Sequence, residues 1–319
     1  MVGGGGVGMV LFSYIKSFNY HMAFTVILII AAVVILVDRI TGKIRKELAQ
    51  STVAVRYGFN HKIKTECAYQ NKAIPVFLGS TAALCVLSLL YLDVDWIKLA
   101  GRVPDMGSIF YRLAQFDFKY MDLIAAAMWE TLSITVLSTL YSVILGLLFG
   151  MFAAENIFRM RWLSVLVQSW FTFLRAVPTP VWVLLMMVCL GMGPAAGIAG
   201  LCVHTTAFFT RAFAQSFESI PQETIEALEA TGVGRIGVFF NAVLPAALSQ
   251  LVAWIAMRFE INFSECAILG MIGAGGIGFI IARSIQGYEY GTAGVAIVLV
   301  FAFAYSIERL FIFIKNKIR

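Results

Sequence analysis

The residues best suited to chemistry are polar groups set inside strongly apolar runs. Arg258, Glu260, Asn262, Ser264 and Glu265 fall within or beside the run Ala246 to Ile268, and His204-Thr205-Thr206 interrupts the run Ile198 to Ala214. A charge at bilayer depth costs about 2.5 to 3.5 kcal/mol on insertion scales and is kept where it meets a cavity or an opposite charge. Arg258 and Glu260 therefore read either as part of a polar pathway or gate, or as an internal pair. The imidazole and hydroxyls of residues 204–206 suit hydrogen bonding between helices, or the lining of such a pathway. Arg175 and Pro178, with Pro180, break a further run from Leu163 to Leu190. Freed backbone at that depth must be covered by other protein, so this segment is expected to face the bundle.

Other chemistries find no support in the residue pattern. Gly3-x-Gly5-x-x-Gly8 and Gly273-x-Gly275-x-x-Gly278 match a dinucleotide fingerprint in letters only, since neither follows a strand of a βαβ unit. Gly273, Gly275, Gly276 and Gly278 read instead as a tight reversal in an outer loop. There is no Walker sequence, and His21, His61 and His204 show no metal-ligand or triad spacing. Cys67, Cys85, Cys189, Cys202 and Cys266 contain no CxxC. No catalytic residue, metal or resident cofactor is expected.

The elements that must position these groups follow from composition. The 319 residues are 60% hydrophobic and 13% charged, against about 25% charged for a soluble domain, so the chain is an all-α, polytopic membrane protein. Seven spans are predicted, at about Met22–Val37, Ile74–Leu92, Thr131–Ala153, Leu163–Leu190, Ile198–Ala214, Ala246–Ile268 and Thr292–Ile312. Residues 93–130 are read as external, with an interfacial helix over MDLIAAAMW, and residues 270–291 as an outer loop. The basic linker from Arg39 to Lys72, Arg159 and Arg161, and the C-terminal Lys315, Lys317 and Arg319 all fall on one side, which the positive-inside rule assigns to the cytoplasm. The net charge of +6 is thus a topology signal, and nucleic acid is not an expected partner.

The first residues repeat the last. At a constant offset of 270 positions, Met1, Gly3, Gly5, Gly6, Gly8, Ile15, Tyr20, Ala23, Ile27, Ala32, Arg39 and Ile44 recur as Met271, Gly273, Gly275, Gly276, Gly278, Ile285, Tyr290, Ala293, Ile297, Ala302, Arg309 and Ile314. Residues 1–48 therefore read as the last piece of a second transport domain, residues 49–73 as a basic cytoplasmic linker, and residues 74–319 as a complete domain. A remnant of a tandem gene and a chain begun at an internal Met both fit.

A polar, helix-forming island between apolar spans, Ser219 to Pro245, looks built to meet another protein. Ser219 and Gln222 have the form of a capping box, and Glu223, Ile225, Glu226, Leu228 and Glu229 recur at helical spacing. Gly232 and Gly234 stop this helix; a second short one, Arg235 to about Asn241, is expected to end before Pro245. Glu226-Ala227, Gly232 and Leu244-Pro245 resemble the EAA loop of permease subunits of binding-protein-dependent ABC importers. Leu228 and Ala242 stand where that pattern has Ala and Ile. The resemblance implies that Glu223, Glu226, Ala227, Glu229, Ala230, Gly232, Arg235, Leu244 and Pro245 form coupling helices for a cytoplasmic ABC ATPase dimer.

Taken in order, Arg175-Ala-Val-Pro178, His204-Thr205-Thr206, the EAA-like loop, and Glu260-x-Asn262 leading into Leu269 to Gly278 resemble the phosphonate-type permeases across residues 74–319. This implies a six-span, MetI-like ABC importer core plus one extra N-terminal span, in the cytoplasmic membrane of a prokaryote. It further implies a second permease subunit, identical or paralogous, an ATPase that binds the ATP, and an extracytoplasmic binding protein. The cargo would be a phosphonate or related phosphorus oxyanion, although Glu265 is acidic where that subfamily is expected to carry a basic residue. An ion-coupled secondary transporter would favour inverted repeats, whereas this repeat runs in the same sense; a non-transporting scaffold is the third class.

Overall fold

A computed structural model describes residues 6–17, 19–50, 73–91 and 95–318. Among them there are helices and no strands. In chain order these are α1 (Gly6–Lys16), α2 (Tyr20–Gln50), α3 (Ala73–Tyr91), α4 (Trp96–Gly101), α5 (Val103–Ala114), α6 (Met121–Ala153), α7 (Glu155–Phe158) and α8 (Arg161–Ala176). They continue with α9 (Thr179–Leu190), α10 (Pro194–Glu218), α11 (Gln222–Glu229), α12 (Arg235–Val238), α13 (Leu244–Leu269), α14 (Ile277–Gln286) and α15 (Tyr290–Ile318). Most of the basic linker, residues 51–72, lies outside the described residues.

The chain divides into two units. Residues 32–108 hold the rest of α2 with α3, α4 and the start of α5. The other unit, residues 1–31 and 109–319, holds the bundle. Among the described residues, four helical stretches are long and apolar enough to cross a membrane: His21–Gly42, Met121–Ala153, Arg235–Ala274 and Tyr290–Phe313. The pair α8–α9 makes a fifth if its 87° bend is counted within one span. The two further predicted spans fall on α3, whose described apolar part is shorter, and on α10, which carries more polar residues.

Helix α10 is central, packed along α6 with α9, α8 and α13 around it. The α6 face that meets it is built from Thr131, Thr135, Ser138, Thr139, Ser142, Gly146 and Gly150, all buried. That small-residue stripe at helical spacing lets two backbones approach where the hydrophobic effect between lipid-immersed helices is weak. Three hydroxyls, those of Thr131, Thr135 and Ser142, return to carbonyls four residues back on their own helix, so the stripe brings no unsatisfied polarity. Opposite Gly146 and Gly150 sit Phe209 and Phe213, stacked at 4.9 Å.

The break between α8 and α9 has a local cause. Pro178 lacks the N–H that would bond the carbonyl of Leu174, and the indole Nε1 of Trp182 donates to that carbonyl instead, at 3.0 Å. Ala176 and Val177 are buried at the bend, as expected of a break covered by protein.

Three boundary expectations are corrected. The segment read as a separate interfacial helix is the first part of α6, because nothing between Met121 and Thr131 breaks a helix. Pro245 does not end one either: residues 235–269 are helical throughout, and a π-helical turn at Phe239–Val243 accommodates the proline at the start of α13. Residues 270–291 are not an open loop, since a reversal at Gly270–Ala274 leads into α14, whose Ile277, Ile280 and Ile281 are buried.

That reversal rests on glycine in two ways. Gly273, Gly275 and Gly276 have φ of 115°, 84° and 73°, a region that side chains disfavour. Gly278 is needed for space, because a Cβ there would overlap the Ala267 carbonyl oxygen and touch Gly270 Cα at 3.0 Å. Gly278→Ala is expected to destabilise the bundle by about 3 kcal/mol, the upper end for overpacking a rigid site. Thermal unfolding of the purified variant beside Gly287→Ala checks this, as the nearest obstacle to a Cβ at Gly287 is the Arg283 carbonyl at 3.3 Å.

Candidate functional site

The polar island folds as α11, a glycine turn and α12. Its N-terminus corrects the capping-box expectation. Pro221 occupies the cap position of α11, while Ser219 Oγ donates to the Ser216 carbonyl at 2.8 Å and Gln222 Nε2 to Glu226 Oε1 at 3.2 Å. Ser219 instead closes α10. Anchoring comes from Ile225, Val238 and Phe239, buried among Ile157, Phe213 and Phe217, with Leu228 packed against them. Leu228, a departure from the EAA pattern, thus gains a core contact that alanine would lack.

Polar ties hold the same island to the turn between α6 and α8. Arg159, itself in the left-handed region at φ 54°, bonds Glu229 Oε2 at 3.0 Å through Nη2. Arg235 Nη1 donates to the Phe158 carbonyl at 2.6 Å. Asn156 Nδ2 donates to the Phe217 carbonyl at 2.8 Å, and the Glu155 N–H to Glu218 Oε1 at 3.0 Å. With this underside fixed, Glu223, Glu226, Ala227, Ala230, Gly232 and Pro245 are exposed, beside the exposed apolar Ile236 and Phe240. Leu244 is half-buried. Such a mixture of carboxylates and large apolar side chains on a rigid short helix pair suits a protein groove.

At bundle depth a second constellation joins three helices. Arg258 is 5% exposed. Its Nη2 lies 3.4 Å from Glu265 Oε2, and its Nε and Nη2 each lie 3.4 Å from Thr205 Oγ1. Its guanidinium carbon sits 5.6 Å from the Phe208 ring centroid, a cation–π arrangement. Thr205 Oγ1 donates to Asn262 Oδ1 at 2.9 Å, and Asn262 Nδ2 donates to Thr139 Oγ1 at 3.0 Å. Glu265, Arg258, Thr205, Asn262 and Thr139 therefore form one chain of polar contacts from α13 through α10 to α6.

The pairing of Arg258 with Glu260 is corrected. Glu260 is exposed, and with Ser264 and Ile268 it lies on the outward side of α13. Residues seven apart share a helix face, whereas residues two apart do not, so Glu265 is the partner that geometry permits. Glu265, acidic where the resemblance leads one to expect a basic residue, is the counter-charge of Arg258. Thr206 is buried with Oγ1 3.8 Å from Cys202 Sγ. His204 Nδ1 is buried with no hydrogen-bond partner among the described residues. Arg175 is half-buried at the end of α8, and Pro178 is exposed at the bend.

Two features of the site went unread in the sequence. One is Thr139, which completes the polar chain, and the other is Thr131, whose Oγ1 accepts the Ile277 N–H at 2.8 Å and fixes the glycine reversal against α6. The spacing of Thr131, Thr135, Ser138, Ser142, Gly146 and Gly150 carried the signal.

The model of the family described as "Binding-protein-dependent transport system inner membrane component" matches residues 146–317. The chain is 27% identical over 326 residues to the phosphate-import permease protein PhnE of Mycolicibacterium smegmatis, covering 99% of this chain and 58% of that protein. It is 23% identical over 245 residues to the putative phosphite transport system permease protein HtxC of Stutzerimonas stutzeri, covering 76% and 86%. Among solved structures, an inward-facing MetNI methionine ABC transporter chain superposes with a TM-score of 0.57 at 25% identity, covering 64% of this chain and 100% of that one. A helical bundle with this fold, this polar helix pair and a family match over more than half its length is a multi-pass membrane protein that belongs to the inner membrane components of binding-protein-dependent transport systems.

Proposed function

We propose that the chain is the permease subunit of an ABC importer and forms the membrane pathway for a phosphonate or related phosphorus oxyanion. The observation that carries this reading is the α11–α12 pair. Its buried side is pinned by Ile225, Val238, Arg159 and Arg235, while Glu223, Glu226, Ala227 and Gly232 face outward. A rigid surface of this kind transmits motion from a partner that hydrolyses ATP, and that partner is a separate ABC ATPase dimer. Orientation follows from charge, with α11–α12, Arg159, Arg161 and the C-terminal basic residues in the cytoplasm.

In this reading residues 74–319 are the complete permease domain, residues 49–73 its cytoplasmic linker, and residues 1–48 the C-terminal piece of a second one. Substrate arrives from an extracytoplasmic binding protein, and a second permease subunit completes the pathway. Arg258 is the buried cation of α13 that suits an anionic cargo, with Glu265 holding its charge when no cargo is present. The names of the relatives, a phosphate and a phosphite permease, support that cargo class.

The test is uptake of radiolabelled phosphite, phosphate and methylphosphonate into proteoliposomes holding the chain with an ATPase and a binding protein, with sulfate as the comparison oxyanion. ATP-dependent accumulation of a phosphorus oxyanion, absent with a non-hydrolysable ATP analogue, is the expected result. Accumulation driven by an ion gradient without the ATPase would overturn the assignment.

A further inference from the structure

The internal repeat extends from letters to helices. Shifted by 270 positions, α1 (Gly6–Lys16) matches α14 (Ile277–Gln286) to within one residue, and α2 begins at Tyr20 where α15 begins at Tyr290. The N-terminal hairpin is thus a second copy of the C-terminal one. Where it sits is informative. Leu11, Ala23, Ile27 and Ala31 pack with Val177 and Val181 on the bent α8–α9 pair, framed by Phe173, Trp182 and Leu185.

The two copies differ in what covers them. Counterparts of Leu11 and Ala23 on the C-terminal hairpin, Ile281 and Ala293, are buried in their own bundle. Counterparts of the other two are not: Ile27 is 6% exposed and Ala31 2%, whereas Ile297 is 42% exposed and Phe301 72%. One helical turn separates 297 from 301, so they form a strip on α15 that is apolar, uncovered and equivalent in position to the strip that α2 buries on α9.

We infer that the α8–α9 face is the seat for the C-terminal hairpin of a second permease domain, that α1–α2 fills this seat within the chain, and that the Ile297–Phe301 strip of α15 docks on the α8–α9 face of a partner permease domain. Two domains related by a two-fold axis make such contacts reciprocally. The partner is a domain of the same fold, because the seat already holds a hairpin with that fold's sequence and helix boundaries. A seat filled from within competes at high effective concentration and keeps a second copy out. The inference rests on the permease reading for the nature of the partner, but its contacts are measurable without transport.

The test uses the full chain in a cysteine-free background with disulfide trapping by copper phenanthroline. Ile27→Cys with Val181→Cys is expected to close an intrachain bond, seen as a mobility shift without a change in mass. For the partner contact, one tagged version carries Ile297→Cys and a differently tagged version carries Val181→Cys. When the latter also carries Ala23→Arg and Ala31→Arg, which eject α2 from the seat, a mixed-tag dimer is expected. Its yield should exceed that obtained with Ala23 and Ala31 intact by about tenfold, the effect of removing a competitor tethered in the same chain. Leu11→Ser with Ile27→Ser loosens the seat without adding charge and should give the same dimer at lower yield if the arginine version does not fold. No intrachain bond, no mixed dimer from either loosened version, or equal dimer with the seat occupied would each overturn the proposal. Should trapping fail while ATP-driven uptake succeeds, only the seat is lost; trapping without uptake leaves the domain pairing and removes the transport reading.

Discussion

Gly232→Trp is expected to abolish ATP-coupled uptake in proteoliposomes while the chain still inserts and purifies as a single species. Gly232 has φ of 84°, and no atom lies within 4 Å of a Cβ built on it. The indole would therefore meet nothing in its own fold; its cost there is backbone strain of about 1–2 kcal/mol, tolerable in a bundle tied down by Ile225, Val238 and two arginines. Outside, the ring would project from the exposed surface of α11–α12, where the proposed ATPase groove would close. Glu226→Lys makes the same point by charge alone. Its carboxylate is exposed and engages Gln222 Nε2 at 3.2 Å, so its loss should change stability by no more than about 0.5 kcal/mol. Gly232→Ala carries the strain without the bulk and is expected to keep substantial uptake. Normal transport by both Gly232→Trp and Glu226→Lys would mean that α11–α12 does not dock the ATPase.

The same helix pair shows what a sequence can reveal about a membrane bundle. Polar residues, glycines and prolines stand out against apolar spans, so the island from Ser219 to Pro245, the break at Pro178 and the hairpin repeat were all visible. The signal fails where one residue's effect depends on a distant backbone. Pro245 reads as a helix end, yet a π-helical turn absorbs it. Gly278 reads as loop freedom, yet its requirement is the closeness of Ala267, a tertiary fact. The Met121 to Trp129 segment was divided from its span by hydropathy, although its residues are good helix formers without a break. The Arg258–Glu260 pairing is a different failure, because helical periodicity alone separates positions two apart and brings those seven apart together. The hydroxyl stripe on α6 was missed for a related reason, since serine and threonine count as polar in hydropathy but satisfy themselves on a helix.

The packing of α10 links these misreadings to function. Its neighbours α6 and α13 contribute Thr139 and Asn262 to one polar chain with Thr205, so movement of α13 relative to α10 has to break or re-form hydrogen bonds at bundle depth. Helix α13 is also continuous with the π-helical turn and with α12. A displacement imposed on α11–α12 thus has a direct helical route to Arg258, about six turns from Arg235 along the same helical stretch.

Glu265→Leu is expected to destabilise the bundle more than Arg258→Leu, and the double variant to recover most of the loss. Removing the carboxylate leaves a guanidinium, 5% exposed, beside the uncharged Thr205 and Phe208 ring; stranding a buried charge in this way costs about 3 kcal/mol. Removing the arginine strands Glu265, but that side chain is 27% exposed and can turn toward water, so about half that loss is expected. With both replaced no charge is buried, and the double-mutant cycle from thermal unfolding in one detergent should return a coupling of about 4 kcal/mol, close to the sum of the two single losses. Additive single effects would show that the pair at 3.4 Å carries no coupling. Uptake then separates two roles that stability cannot. If Arg258 serves an anionic cargo, the double variant folds as well as the unmodified chain and transports no phosphorus oxyanion. If the pair only ties α13 to α10, restoring the fold restores transport, and the cation for the cargo has to be sought elsewhere in the bundle.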